Sequence, residues 1–242
     1  MNIIKKLAQR NQDYRSHRPI VIAFFGDSVT HGCFEIFPNL TGGIGVACRA
    51  KEAYPTLLSK KLSEYYPFAA PSVINAGVSG DNAANAKTRL ERDVLFAKPD
   101  LVIVDFGLND SMNPDVEAGL ETYRASMREI FEKVLASGAE CILLTPNFMC
   151  KTVSAMLTEE LFRNIAESAS RVQNEGILEK YVLAAKEEAA RLNIPVADAY
   201  GVWKTLSESG VNTDDMLSNY INHPTKEAHS IFVNELMNAL FR

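Results

Sequence analysis

The sequence predicts an α/β fold built on a parallel sheet, on three observations. Short apolar runs rich in β-branched residues alternate with longer segments of helical period, the pattern of repeated βαβ units. The strongest runs, Ile20-Val21-Ile22-Ala23-Phe24-Phe25 and Leu101-Val102-Ile103-Val104, are apolar throughout instead of alternating, which requires cover on both faces. Across 242 residues no repeat, low-complexity tract, linker or shift of composition marks a boundary, so residues 1–242 are expected to form one domain.

The elements follow in order. Residues 1–19 are expected to be a helical extension; Lys5, Lys6, Arg10, Arg15 and Arg18 interrupt every apolar stretch there, so it does not read as a signal peptide. A first strand is expected over Ile20–Phe25, then a helix over Tyr54–Tyr65, a strand over Ser72–Asn75 and a helix over Asn82–Phe96. The most apolar strand, Leu101–Phe106, leads to a helix over Val116–Ser137 and a strand over Cys141–Thr145. Residues 146–176 are longer than an ordinary strand-to-helix connection and mix Phe148, Met149, Met156 and Leu157 with polar residues. They predict a partly helical, lid-like insertion over the strand ends, where open α/β sheets bind ligands. A helix over Ile177–Leu192, a weaker strand over Pro195–Ala197 and a helix over Thr225–Phe241 complete the chain.

Composition removes several classes of function. Hydrophobic residues make up 47% and charged residues 23%, the balance of a globular protein and not of a disordered one. Net charge is −5 with both signs interspersed, so no basic face exists to bind a phosphate backbone, and nucleic acid is not expected as a partner. No apolar run is long enough to span a bilayer, and a cytoplasmic location is expected. Cys33, Cys48, Cys141 and Cys150 show no CxxC spacing in a chain large enough to fold without staples. They read as free thiols, with neither disulfides nor structural zinc expected.

Four segments carry candidate chemistry. Gly26-Asp27-Ser28-Val29-Thr30 follows the first strand and places a hydroxyl at the C-terminal edge of the sheet, although a serine there also suits a helix cap. Asn75-Ala76-Gly77-Val78-Ser79-Gly80-Asp81-Asn82 follows the second strand. Its glycines leave backbone N–H groups uncovered, as an oxyanion donor requires and as an ordinary turn also does. Phe106-Gly107-Leu108-Asn109-Asp110 follows the most apolar strand; an Asn amide there can donate to an oxyanion without titrating, with Asp110 fixing the loop from behind. Asn219-Tyr220-Ile221-Asn222-His223-Pro224-Thr225 precedes the last helix and sets an imidazole on a loop before a proline.

In this order and at these places, the four segments resemble the SGNH or GDSL family of hydrolases, whose name-giving residues fall on Ser28, Gly80, Asn109 and His223. The resemblance runs from about Ile20 to Phe241. It implies a flavodoxin-like three-layer α/β/α fold and hydrolysis of esters or thioesters through an acyl-enzyme, with a small-molecule ester as substrate and no cofactor or metal. It also implies Ser28 as nucleophile, His223 as general base, and an oxyanion hole from the N–H groups of Ser28 and Gly80 and the amide of Asn109. One position departs from the family pattern. An acidic residue usually stands three places before the histidine, and here that place holds Tyr220. His223 must then be oriented by something else: a backbone carbonyl near Tyr220, the side chain of Asn219 or Asn222, or a more distant carboxylate such as Asp214 or Asp215. A Ser-His dyad with neutral support is the favoured reading.

His31, Phe148 and Met149 are candidates for the border of the substrate pocket, although His31 also suits a plain polar position at the start of a loop or helix. His17 and His229 have no ligand partner at a recognisable spacing. Thr41-Gly42-Gly43-Ile44-Gly45 lacks the Lys-Ser/Thr of a phosphate loop and reads as a mobile connection beside the site. An esterase for small or carbohydrate-borne acyl groups is the leading functional reading. A lysophospholipase or acyl-thioesterase for longer chains, and a non-catalytic binding protein on the same fold, are its rivals. An α/β-hydrolase is excluded, because no Gly-x-Ser-x-Gly surrounds Ser28.

Overall fold

A computed structural model describes residues 1–242. The chain opens with helix α1 (Asn2–Gln12), tied to the sheet where the Asn2 N–H donates to Glu140 and Lys6 pairs with the buried Asp100 at 2.8 Å. Strand β1 (Val21–Gly26) leads through a single turn of helix α2 (Ser28–His31) into an antiparallel hairpin, β2 (Cys33–Pro38) and β3 (Ile44–Cys48). Helix α3 (Tyr54–Tyr65) and β4 (Ser72–Gly77) follow. Two short helical turns, α4 (Ala83–Ala86) and α5 (Leu90–Asp93), lead to β5 (Leu101–Asp105), the long α6 (Val116–Ala136) and β6 (Glu140–Leu144). The last part comprises α7 (Glu160–Asn174), α8 (Ile177–Arg191), β7 (Val196–Ala197), α9 (Ala199–Glu208) and α10 (His229–Phe241).

The main sheet is wholly parallel, in the order β4-β1-β5-β6-β7. Counting only its own strands along the chain, that order is 2-1-3-4-5, the flavodoxin-like arrangement. Helices α3 and α10 pack together, as do α6 and α8, and these pairs sandwich the sheet. All five residues of β5, and every residue of β1 after Val21, are buried, which explains their unbroken apolar sequence. One cluster of 61 buried residues joins both layers. No helix is long and apolar enough to cross a membrane.

The expected sheet strands each form within a residue or two of their expected limits. Three segments differ. Residues 82–96 form separate short turns, Ala83–Ala86, Leu90–Asp93 and the start of Leu95–Ala97, instead of one helix, and Arg89 between the first two is drawn inward to bind backbone carbonyls at the ends of β1 and β4. The Gly-rich segment after Leu40 is the turn of the β2–β3 hairpin and not a loose connection: Asn39 Oδ1 accepts from the N–H groups of Thr41 and Gly43 at 3.0 and 2.8 Å. The helix α9 stands where no element was expected; the Asp198 side chain caps it by accepting from the Gly201 N–H.

Candidate active site

In this sheet the chain passes from β1 outward to β4 and then back to β5 on the other side, so the switch point lies beyond the carboxyl ends of β1 and β5. Ser28 follows β1, Gly80 follows β4 and Asn109 follows β5, so three loops converge there. Gly26 allows the first turn to be tight. A Cβ at that position would lie 2.0 Å from Thr30 Oγ1 and 2.7 Å from the Asp105 carbonyl. Asp27 then caps α2, its Oδ1 accepting from the Val29 N–H at 2.9 Å, and Ser28 becomes the first helical residue. The first N–H groups of a helix have no partner within it, and that of Ser28, a residue that lines the cleft, has no backbone acceptor. Gly80 has φ +78 with open space where a Cβ would stand, and its N–H has no backbone acceptor.

His223 meets Ser28 from the opposite wall. Ser28 Oγ and His223 Nε2 are 2.9 Å apart, and His223 Nδ1 lies 2.9 Å from the Phe34 carbonyl oxygen. A carbonyl oxygen can only accept, so Nδ1 carries the proton and Nε2 presents its lone pair to the Ser28 hydroxyl. The orienting group is therefore a backbone carbonyl, as one alternative held, but it comes from β2, 189 residues away, and not from the neighbourhood of Tyr220.

The other suggested partners act elsewhere. Asn219 Oδ1 accepts from the N–H groups of Ile221, Asn222 and His223 at 2.9–3.0 Å, so it shapes the loop without touching the imidazole. Asn222 pairs with the Asn219 amide, and Tyr220 is an exposed residue with φ +60. Asp214 receives Lys151 and Thr152, and no hydrogen bond links Asp215 to His223. The loop is also anchored by Asn147, whose amide donates to the Asn222 carbonyl at 2.8 Å, and by the Cys150 N–H, which donates to Ile221 at 2.6 Å.

Burial pushes the His223 imidazole down to about 4, against the Phe34 carbonyl and Glu35 carboxylate, which both favour its protonated form. Beneath Ser28, burial pushes the Asp27 carboxyl up to about 7, with Asp110 and Asp81 adding to the effect. Asp110 is likewise pushed up to about 7 by burial, and its Oδ1 accepts from the Ala83 N–H at 2.9 Å, bracing the Gly80 and Asn109 loops against each other. Asn109 Nδ2 donates to the Asp81 carbonyl at 2.8 Å and to Asp27 Oδ2 at 3.5 Å, and the residue lines the cleft. Arg89 completes the scaffold. It pairs with Asp81, donates to the Ala76 and Gly26 carbonyls, and lies over the Phe25 ring. Nothing in the spacing around Arg89 distinguished it from a solvent-facing helix residue.

Ser28, Gly80, Asn109 and His223 all line one cleft of about 140 Å3. Its apolar wall is Ile36, Ile44 and Val46 from the hairpin, Ile165 from α7, and Ile221. Of the residues expected to border it, three do not. Phe148 and Met149 are buried in the core: Phe148 packs against Tyr200 and Trp203, and the Met149 N–H bonds Gln173. Because Asn147 and Cys150 bind the His223 loop, the start of the 146–176 insertion is pinned as core and only its helix reaches the cleft. His31 turns away from the cleft toward the hairpin cysteines. A second groove of about 290 Å3 adjoins the first, sharing Ile36 and Asn219 and bordered by Glu35, Met156 and Tyr220.

Comparisons with known proteins bear on the family and the fold. The model of the GDSL-like lipase/acylhydrolase family matches residues 24–231. An acetylxylan esterase of Geobacillus stearothermophilus is 30% identical over 135 residues, 53% of this chain and 60% of that protein. Esterase TesA of Pseudomonas aeruginosa is 33% identical over 109 residues, 43% of this chain and 51% of that protein. The chain thus spans between half and three-fifths of the length of these relatives. The crystal structure of Axe2, an acetylxylan esterase from Geobacillus stearothermophilus, superposes with a TM-score of 0.65 at 20% identity, covering 92% of this chain and 94% of that one. At that identity the superposition speaks for the fold.

Proposed function

The chain belongs to the GDSL-like lipase/acylhydrolase family, and from that premise we propose that it hydrolyses carboxylic esters of short acyl groups through an acyl-enzyme on Ser28. One observation carries the reading: a serine hydroxyl 2.9 Å from the free nitrogen of an imidazole whose other nitrogen is held by a carbonyl. His223 Nε2 takes the Ser28 proton as Oγ attacks the acyl carbon. The oxyanion that forms is met by the N–H groups of Ser28 and Gly80 and by the Asn109 amide. His223 then returns the proton to the departing alkoxide, and a water activated by the same nitrogen releases the acid. The Phe34 carbonyl contributes a dipole where a carboxylate would contribute a full charge, so it fixes the tautomer while stabilising the imidazolium less.

The size of the cleft supports a short acyl chain. About 140 Å3 is well below the roughly 300 Å3 at which ordinary ligand pockets begin, and its isoleucine and valine wall suits a few methylenes at most. The adjoining groove, part apolar (Phe37, Met156, Phe162) and part polar (Glu35, Ser218, Asn219), has room for the alcohol part of the ester. That two relatives of the chain are named acetylxylan esterase and esterase TesA is in keeping with ester cleavage. With p-nitrophenyl esters of graded length, kcat/KM is expected to be highest between acetate and butyrate and at least about tenfold lower at octanoate. A profile that rises toward long chains would favour a lysophospholipase or thioesterase. Absence of both turnover and labelling of Ser28 by an organophosphonate would favour a binding protein.

The acid limb of the pH profile follows from the buried base. Only neutral His223 accepts a proton, and its value lies near 4 where an ordinary imidazole stands near 6.5. The limb of the kcat/KM profile that His223 sets is therefore expected near pH 4, apart from any limb near 7 set by the Asp27 and Asp110 carboxyls. Linkage has the same sign: between about 6.5 and 4 the unfolded chain binds a proton that native His223 does not, so its share of stability is lost as pH falls through that window. An inflection near 6.5 that persists in Asp27→Asn and Asp110→Asn variants, in protein that remains folded, would contradict the burial of the base.

A further inference from the structure

Beside the cleft, three side chains that the proposed reaction does not use come together. His31 ends α2, Cys33 opens β2 and Cys48 closes β3, where hairpin register sets it directly opposite Cys33. A ring nitrogen of His31 and the two Sγ atoms all lie within 4.8 Å of one another. Cys33 is fully buried, Cys48 is exposed, and neither is in a disulfide. His31 Nδ1 is buried with no hydrogen-bond partner, a state that buried polar atoms rarely keep unless something else occupies the site.

We propose that His31, Cys33 and Cys48 form a binding site for a thiophilic d10 cation of the zinc class, separate from the Ser28–His223 pair. Two thiolates and an imidazole are a donor set that selects such ions. At ordinary zinc-ligand bond lengths, tetrahedral ligands stand about 3.5–3.8 Å apart, so small side-chain adjustments suffice. Charge balances: Zn2+ displaces the two thiol protons, and two thiolates with a neutral imidazole leave the site uncharged. Burial pushes the Cys33 thiol up, so the cation itself must drive ionisation, and affinity falls as pH is lowered. Solvent on the Cys48 side supplies a fourth ligand. A disulfide would account for the two facing sulfurs but leaves His31 Nδ1 unexplained, and it would require an external oxidant.

Such a site would cross-link the two strands at the open end of the hairpin and tie them to the end of α2. Cys33 immediately precedes Phe34, whose carbonyl orients His223, and Ser79, beside Cys33, lines the cleft. The cation would hold that carbonyl in place without touching substrate.

The test reads binding and is independent of turnover. The full-length protein, reduced with a phosphine and stripped with a chelator, is titrated with Co2+ and then with Zn2+. One cobalt per chain is expected, with thiolate-to-metal charge-transfer absorption and the intense d–d bands of a tetrahedral site, displaced by one equivalent of zinc. Zinc at a hundredfold excess over its dissociation constant should raise Tm by about 5 °C or more. Cys48→Ser, at an exposed position that folding tolerates, should abolish the charge-transfer band, and His31→Gln should weaken binding at least about tenfold. No band in the reduced wild type, or a band of equal strength in Cys48→Ser, would overturn the proposal. So would conversion of Cys33 and Cys48 to a disulfide in air by a protein that takes up no metal when reduced.

Discussion

Replacing Ser28 by alanine is expected to lower kcat toward p-nitrophenyl acetate by about 10^4-fold or more, a loss of at least about 5 kcal/mol of transition-state stabilisation. The change removes only Oγ. Helix α2 is capped by Asp27, and the turn below rests on Tyr54, whose Oη lies 2.7 Å from Thr30 Oγ1 and 3.3 Å from Asp105 Oδ2. The fold should therefore survive with Tm little altered. His223→Ala should cost a similar factor, and the double variant little more than either single one, because in the proposed mechanism nucleophile and base act as a unit. The residual rate of such variants comes from whatever donors still face the oxyanion. Equal turnover by wild type and Ser28→Ala would remove the nucleophile from the mechanism, and additive losses in the double variant would show that the two residues work separately.

Asn109→Ala is the second large effect, expected at about 10^2–10^3-fold in kcat with a much smaller change in KM. The asymmetry follows from when the bond forms: an amide donor aimed at the oxyanion gains strength only as charge collects on that oxygen. Asn109 also donates to the Asp81 carbonyl, so part of the loss could arise from a loosened Gly80 loop. Asn109→Asp separates the two effects. It keeps the shape but replaces a donor by an acceptor, and should be at least as inactive as the alanine variant. Recovery of activity in the aspartate variant, or an effect confined to KM, would leave Asn109 a loop brace with no part in stabilising the transition state.

The elements most legible in the chain were those where local chemistry and burial point the same way. The runs at 20–25 and 101–106 announced central strands because both faces of a parallel sheet are covered, and the helices at 54–65, 116–136 and 177–191 had clear periodicity. Residues 82–96 were misjudged because propensity sees an unbroken helical stretch, whereas Arg89 is pulled in by carbonyls of two strands distant in sequence. Phe148 and Met149 looked like cleft residues because they follow a strand end. The hydrogen bonds of Asn147 and Cys150 to the His223 loop instead fold that segment into the core.

By itself the sequence determined the sheet, the order of its strands along the chain, and the placing of Ser28, Gly80 and Asn109 on the three loops after β1, β4 and β5. These follow from nearest-neighbour physics: apolar runs that must be covered, and small or polar residues where each run ends. Tertiary structure alone decided that the Phe34 carbonyl would hold His223 and that isoleucines from a hairpin and from α7 would wall the cleft. It alone brought Cys48 opposite Cys33 beside His31. Each of these is a contact between residues far apart in the chain. One of them uses a main-chain oxygen, a group every residue carries and no side-chain pattern can reveal.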